Sequence, residues 1–192
     1  MIRVSVYGAT GYAGIELVRL LSIHPEVKIV HLISKNFAGR PLQELYPSFF
    51  GFFEKNCSDT DMETVAADSD VIFTALPHGV SSEVVPFFYK LNKKVIDLSG
   101  DFRYKSPEVY KIWYGMPHPH PDLLKVSVYG LPEIHRKLIK GSQIVGNPGC
   151  YTTCSILGMA PLVAEKIIDL DSIIIDAKSG ATGAGRNPSQ DL

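Results

Sequence analysis

The octapeptide Gly146-Asn147-Pro148-Gly149-Cys150-Tyr151-Thr152-Thr153 gathers the residues of this chain best suited to covalent chemistry. Ser142 to Val145 read as a short strand, and Thr152 to Lys166 read mostly as a helix. Between them Pro148 fixes φ and Gly149 tolerates positive φ, so a tight bend is expected. Cys150 then stands at a strand-to-helix turn, beside the first free N–H groups of the helix. Those donors and the helix dipole favour thiolate over thiol. Cysteines in such settings have pKa values of roughly 3.5 to 7.5, against about 8.5 for a free thiol. The same N–H groups would stabilise an oxyanion on a carbonyl carbon bonded to the sulfur. The alternative is a small cysteine that merely fills buried space.

A second element could hold an anionic ligand. Ile2 to Tyr7 is an apolar run suited to a buried parallel strand, and Ile15 to Ile23 carries a helical core face of Ile15, Leu17, Val18, Leu20 and Leu21. Gly8-Ala9-Thr10-Gly11-Tyr12-Ala13-Gly14 joins them. Strand, glycine turn and helix in that order form the phosphate-binding unit of a dinucleotide fold. Gly8 permits the sharp turn, Gly11 lets a pyrophosphate approach, and Gly14 lets the helix pack on the strand. The spacing is G-x-x-G-x-x-G, so its placement between strand and helix carries the reading. Thr10, Tyr12 and Ala13 share that turn.

The second strand, Val27 to Ile33, ends in Ser34-Lys35-Asn36, with Arg40 shortly after. An NAD site places Asp or Glu here for the ribose 2′-hydroxyl. A hydroxyl and two cations suit a 2′-phosphate instead, so NADP (NADPH) is the cofactor expected.

Further strands must deliver the other polar loops. Met62 to Asp68 reads as a helix, and Asp70 to Leu76 as a buried strand ending in Pro77-His78-Gly79. Ligands of open α/β sheets bind at such carboxyl ends, which adds Leu76, Pro77 and His78 to the cofactor site. Ser81 to Lys90 is the next helix, and Lys94 to Leu98 the next strand. That strand delivers Ser99-Gly100-Asp101-Phe102-Arg103, in which Arg103 could clamp a phosphate through its planar fork. Pro41 to Ser58 reads as a packed aromatic excursion. Tyr104 to Leu124, with Pro117-His118-Pro119-His120, reads as a structured surface loop without the convergent ligands of a metal site. Val126 to Tyr129 is a short strand and Glu133 to Ile139 a short helix. Beyond Cys150, Ile156, Leu157, Ala160 and Val163 look core-like, and Pro161 should kink or restart the helix. Ser172 to Lys178 reads as a final strand before a second glycine loop, Ser179 to Arg186, expected to be mobile and closely approached.

The expected fold class is therefore α/β: a Rossmann-type doubly wound parallel sheet over residues 1–149, then residues 150–192 as the start of a catalytic domain. A chain of 192 residues with 45% hydrophobic and 20% charged residues can bury a core. Nineteen Lys+Arg against twenty Asp+Glu leave a net charge of −1, which calls for neither nucleic acid nor an acidic membrane surface. Three cysteines form no disulfide framework or metal pair. The chain opens directly on a strand and holds no run of about 20 apolar residues, so a soluble, cytoplasmic protein is expected.

With these motifs in view, the chain resembles the N-acetyl-gamma-glutamyl-phosphate reductases of the semialdehyde dehydrogenase superfamily. The resemblance rests on Gly8 to Gly14, Ala38-Gly39-Arg40, Leu76 to Gly79, Asp97 to Arg103, Tyr129 to Glu133, Gly146 to Tyr151, and Ser179 to Arg186. It implies that Cys150 attacks a small-molecule acyl phosphate, expels phosphate and forms a thioester. Reduction by NADPH then yields N-acetylglutamate 5-semialdehyde, a step of arginine biosynthesis. It further implies Ser99, Arg103 and Asn147 at the substrate, Ser179 and Gly180 at the cofactor, no metal, and a homo-oligomer at full length. Thr152 stands where the family has proline, and it is expected to cap the helix. Family members also continue beyond the second glycine loop through an α+β catalytic and dimerisation domain, which supplies an acid/base histidine. None of His24, His31, His78, His118, His120 or His135 matches that position, so this chain reads as truncated there.

Competing readings are an aspartate-semialdehyde or aminoadipyl-phosphate type reductase, and a non-catalytic NADP-binding fragment. A short-chain dehydrogenase also uses G-x-x-G-x-x-G. Its Y-x-x-x-K pattern at Tyr89 to Lys93 falls too early in this chain, on the helix before the Ser99 loop.

Overall fold

A computed structural model describes residues 1–185 of the chain. Ile2–Tyr7 (β1), Tyr12–Ser22 (α1), Val27–Ile33 (β2), Leu42–Leu45 (α2), Met62–Asp68 (α3), Val71–Thr74 (β3), Ser81–Lys90 (α4) and Lys94–Asp97 (β4) make up the first half. Pro107–Tyr114 (α5), Pro121–Val126 (α6), Val128–Tyr129 (β5), Pro132–Gly141 (α7), Ile144–Gly146 (β6) and Cys150–Ala164 (α8) follow. The strands form one parallel sheet in the order β2-β1-β3-β4-β6-β5. Successive β–α units run one way from β1 to β2 and the other way from β1 to β3, which is the doubly wound pattern expected.

Strand register places the functional loops. Tyr7 lies opposite Ile33 and Thr74, Thr74 opposite Asp97, and Asp97 opposite Gly146. The strands therefore end level with one another. The loops opening at Gly8, Ser34, Ala75, Leu98 and Asn147 consequently emerge along one edge of the sheet. The strand interiors are mostly apolar on both faces, as helices on both sides require, with Ser5 in β1 and Lys28 and His31 in β2 as polar exceptions. On one face Val18 of α1 packs with Val4, Val6 and Leu32. On the other, Val65, Val85 and Phe88 of α3 and α4 pack with Ile72, Val95 and Ile144. The polar Ser5 in buried β1 is answered by Ser69, whose hydroxyl lies 2.7 Å away.

The excursion over residues 41–58 is packed, as its aromatic content implies: Leu42, Phe49 and Cys57 are buried with the α1 core. It also reaches the glycine loop, where the Tyr46 hydroxyl donates to the Thr10 carbonyl at 2.6 Å.

Three expectations are corrected. Residues 104–124 form helices α5 and α6, with Ser106 capping α5 through Val109 N–H and Gly115 closing it at φ 73°. His118 between them is buried, edge-on to Phe102 and Tyr110, because the proline-flanked segment folds inward under α5. Ser172 to Lys178 does not form a strand. Among the described residues no strand lies beside it to complete its backbone pairing, and Ile174 is 92% exposed. Helix α8 runs unbroken through Pro161 and buries no residue, although it is apolar all round. Among the described residues no helix is long and apolar enough to cross a membrane.

Candidate active site

The glycine loop is shaped by close backbone contacts. Gly8 has φ 75°, and a Cβ there would collide with the Ala75 carbonyl. A Cβ on Gly14 would collide in turn with the Gly8 carbonyl, so α1 sits directly on the end of β1. Gly11 N–H donates to Gly8 O at 3.0 Å, and Gly11 caps α1 without any side-chain bond, leaving the first amides of the helix open to an anion. α1 begins one turn earlier than expected, so Tyr12 and Ala13 are its exposed first residues.

Beside this loop lies a cleft of about 1010 Å³. That is at the upper end of ordinary ligand sites, about 300–1,000 Å³. Gly8, Thr10, Gly11, Ser34, Lys35, Leu76 and Pro77 line it. Thr10 and Ser34 hydroxyls lie 2.8 Å apart and join the two loops. Arg40 does not line the cleft; its guanidinium reaches Glu44 at 3.6 Å and lies 5.9 Å from the Phe37 ring centre. Asp59, Asp61 and Glu63 line the same cleft. Asp61 is held below the usual carboxylate range by hydrogen bonds from the Thr64 amide and hydroxyl. Burial, with these acids nearby, pushes the Tyr7 phenol well up. A backbone cradle, an open helix end and a lysine at the close of β2 fit a dinucleotide with an extra phosphate.

Cys150 is the first residue of α8 and is exposed. Gly149 caps that helix with no side-chain bond, so its first N–H groups remain open. Thr152 does not cap it as expected. Its hydroxyl, like that of Thr153, donates back to the Gly149 carbonyl, at 2.9 and 2.8 Å, because both side chains point toward the helix start. Cys150 shares a second cavity, about 520 Å³, with Cys154, Met159, Ile174 and Ser179. Ser179 thus lies beside the thiol and does not line the glycine-loop cleft. Gly180 lines neither cavity. Arg186 lies outside the described residues.

Arg103 is brought to the cysteine turn. A Cβ built on Gly149 would stand 3.6 Å from Arg103 Nη1, and one on Gly100 would stand 2.8 Å from Arg103 Cζ. Arg103 Nε is buried without a partner among the described residues. Ser99 is committed within its own loop. Its hydroxyl donates to Asp97 Oδ2 at 2.9 Å and accepts from Asp101 N–H at 3.1 Å, while Thr74 donates to Asp97 Oδ1 at 2.7 Å. Asn147 donates its N–H to Asp97 O at 2.8 Å, and its side-chain oxygen packs on Gly130.

His78 turns from the cleft toward the loop after β4. Its Nδ1 lies 2.6 Å from Asp101 Oδ1, and its Nε2 lies 3.2 Å from the Tyr110 hydroxyl. The Tyr114 ring stacks on it at 4.0 Å. Burial raises the Tyr110 phenol to about 12, so it keeps its proton beside Nε2, while Nδ1 on the other side of the ring faces the Asp101 carboxylate. Asp101, Tyr110 and Tyr114 went unread in the sequence. An aspartate inside a polar loop and tyrosines on a short helix carry no local sign of a shared partner.

Residues 3–142 match the family model described as semialdehyde dehydrogenase, NAD binding domain, and residues 150–192 match that of the semialdehyde dehydrogenase dimerisation domain. The chain is 53% identical over 186 residues to the N-acetyl-gamma-glutamyl-phosphate reductase of Acetivibrio thermocellus, covering 97% of this chain and 54% of that one. It is 44% identical over 190 residues to the [LysW]-L-2-aminoadipate/[LysW]-L-glutamate phosphate reductase of Sulfolobus acidocaldarius, covering 99% and 54%. The chain thus spans about half the length of the curated relatives it matches. In fold it is similar to aspartate semialdehyde dehydrogenase II of Vibrio cholerae, with a TM-score of 0.63 at 17% identity over 85% of this chain and 47% of that one. With its cofactor-type sheet matched over residues 3–142, the chain belongs to the semialdehyde dehydrogenase family.

Proposed function

We propose that this chain carries the cofactor cleft and the nucleophile of an NADPH-dependent acyl-phosphate reductase. Its substrate is N-acetylglutamyl 5-phosphate, and its products are N-acetylglutamate 5-semialdehyde and inorganic phosphate. One observation carries the reading: an exposed Cys150 at an uncapped helix start, with Arg103 beside the preceding glycine, on the same sheet edge as the cleft. The names of the similar reductases support the substrate class, including the acyl phosphate itself.

In this reading the Cys150 thiolate attacks the acyl carbon. The carbonyl electrons move to oxygen, where the open amides of α8 stabilise the charge. Collapse expels phosphate, whose charge Arg103 meets with two parallel N–H groups, and leaves a thioester on Sγ. A nicotinamide cofactor held in the cleft would supply the hydride that reduces the thioester carbon. The resulting thiohemiacetal oxyanion is held by the same amides, and its collapse frees the aldehyde and regenerates the Cys150 thiolate. Lys35, with Ser34 at the base of the same turn, holds the 2′-phosphate that distinguishes NADPH from NADH. Residues 150–192 begin the second domain, through which the full-length protein forms a homo-oligomer in the cytoplasm; the match to a dimerisation domain supports the assembly.

The test is trapping of the thioester. Incubated with N-acetylglutamyl phosphate and no NADPH, the chain should gain the mass of one acyl group on Cys150 and release one phosphate. Cys150→Ala should do neither. Phosphate release without the adduct, or an adduct on Cys154, would overturn the assignment. Faster acylation by the aminoadipyl homologue would move the substrate one methylene longer, a length that the name of the Sulfolobus relative includes beside glutamate.

A further inference from the structure

The loops after β3 and β4 are joined by a carboxylate that water cannot reach. Asp101 is fully buried, yet both of its oxygens are engaged. Oδ1 accepts from Gly79 N–H at 2.8 Å and faces His78 Nδ1 at 2.6 Å; Oδ2 accepts from Ser82 N–H at 3.0 Å. Gly79 and Ser82 lie at the start of α4, so the carboxylate meets the positive end of that helix from a different loop. A buried carboxylate that loses one donor keeps its desolvation cost, so this set of contacts forms or breaks as a unit.

On one side of this junction lies the cofactor cleft: Leu76, Pro77 and Val80, which bracket His78, are part of its wall. On the other side lies Arg103, two residues beyond Asp101. Tyr114 links the two sides, stacking on His78 and directing its hydroxyl to Gly100 O at 3.5 Å, against the backbone on which the Arg103 guanidinium rests.

We propose that Asp101 and His78 are positioning residues that couple occupancy of the cofactor cleft to anion binding at Arg103. This rests on the cofactor and Arg103 assignments of the proposed function. A dinucleotide that orders the β3 loop orders His78 and Gly79, these fix Asp101, and Asp101 fixes the short segment that aims Arg103 at the cysteine turn. The coupling is reciprocal, as linkage between two binding equilibria requires.

The experiment is calorimetric titration of NADP⁺ into the 192-residue chain, with saturating inorganic phosphate and with potassium chloride at equal ionic strength. Phosphate should tighten NADP⁺ binding by about five- to tenfold. The gain should vanish in His78→Ala, in Asp101→Asn and in the Arg103→Gln control. It should return in part in His78→Asn, whose side-chain amide places a donor near the position of Nδ1. A merely structural role would lower melting temperature or overall affinity without removing the phosphate effect. Two variants guard against one failing to fold. Wild-type NADP⁺ affinity that phosphate leaves unchanged or weakens overturns the coupling while the cofactor reading stands. Retention of the full effect in both His78→Ala and Asp101→Asn overturns the role of the pair. Absence of NADP⁺ binding in the wild type overturns the cofactor reading, and this inference with it.

Discussion

Two residues of the same charge illustrate what position adds to chemistry. Lys35 and Arg40 both follow β2, and both suit a 2′-phosphate by type. Lys35 lines the cleft, whereas Arg40 is turned to Glu44 and Phe37. Lys35→Ala should therefore weaken NADPH binding by about tenfold, the low end for a charged hydrogen bond at an exposed site, and leave NADH binding nearly unchanged. Arg40→Ala should change neither by more than about twofold. Fluorescence titration of both cofactors against both variants checks this, and equal loss for NADPH and NADH in Lys35→Ala would remove the 2′-phosphate contact. Cys150 and Cys154 pose the same question for thiols. They share a cavity one helical turn apart, but only Cys150 stands among the open amides of the helix start.

Elements in this chain are built to present loops, and their ends are where substitutions should tell. Gly8 combines a positive φ with a backbone contact that no side chain can share. Gly8→Ala should cost at least about 1–2 kcal/mol for the left-handed backbone alone, more for the collision with Ala75, and should abolish dinucleotide binding; a chain that keeps its melting temperature and its NADP⁺ affinity would refute the cradle. At α5, Ser106 accepts from Val109 N–H at 3.2 Å. Ser106→Ala should lower stability by about 1 kcal/mol in urea denaturation. Because α5 carries Tyr110 and Tyr114 onto His78, the same substitution should loosen the loop after β3, seen as faster amide exchange at Gly79 and Ser82.

At the scale of the whole molecule, the sheet and the helices on its second face set stability. Phe88 is fully buried, edge-on to Tyr7 at 5.6 Å and to Phe87 at 5.4 Å. Phe88→Ala should cost about 3–5 kcal/mol, measured by chemical denaturation. His118 adds a pH dependence. Burial pushes its pKa below the ordinary value, with Asp101 opposing. The unfolded chain therefore takes up this proton first as pH falls. Stability from His118 is complete above about pH 6.5, the ordinary histidine value, and is lost as pH falls through the lower folded value. Melting temperatures between pH 7.5 and 5 should decline less steeply in His118→Phe than in the wild type.

The sequence by itself determined the parallel strands, the glycine turn between β1 and α1, and the cysteine at the head of α8. These follow from neighbours along the chain: apolar runs of strand length, glycines where φ or contact demands them, a proline–glycine bend before a helix. β2, α3 and α4 were legible to the residue for that reason. Only the tertiary structure decided which polar side chains meet. Asp101 reaches Gly79 across 22 residues of sequence, and no local pattern at either end encodes that reach. The pairing arises because β3 and β4 end level in the sheet, with Thr74 opposite Asp97. The same register turns Ser99 inward to Asp97 and sends His78 away from the cleft its motif borders. Segments 104–124 and 172–178 were misread for a related reason. The first found a core to fold against, the second found no strand to pair with among the described residues, and both facts belong to the assembled sheet.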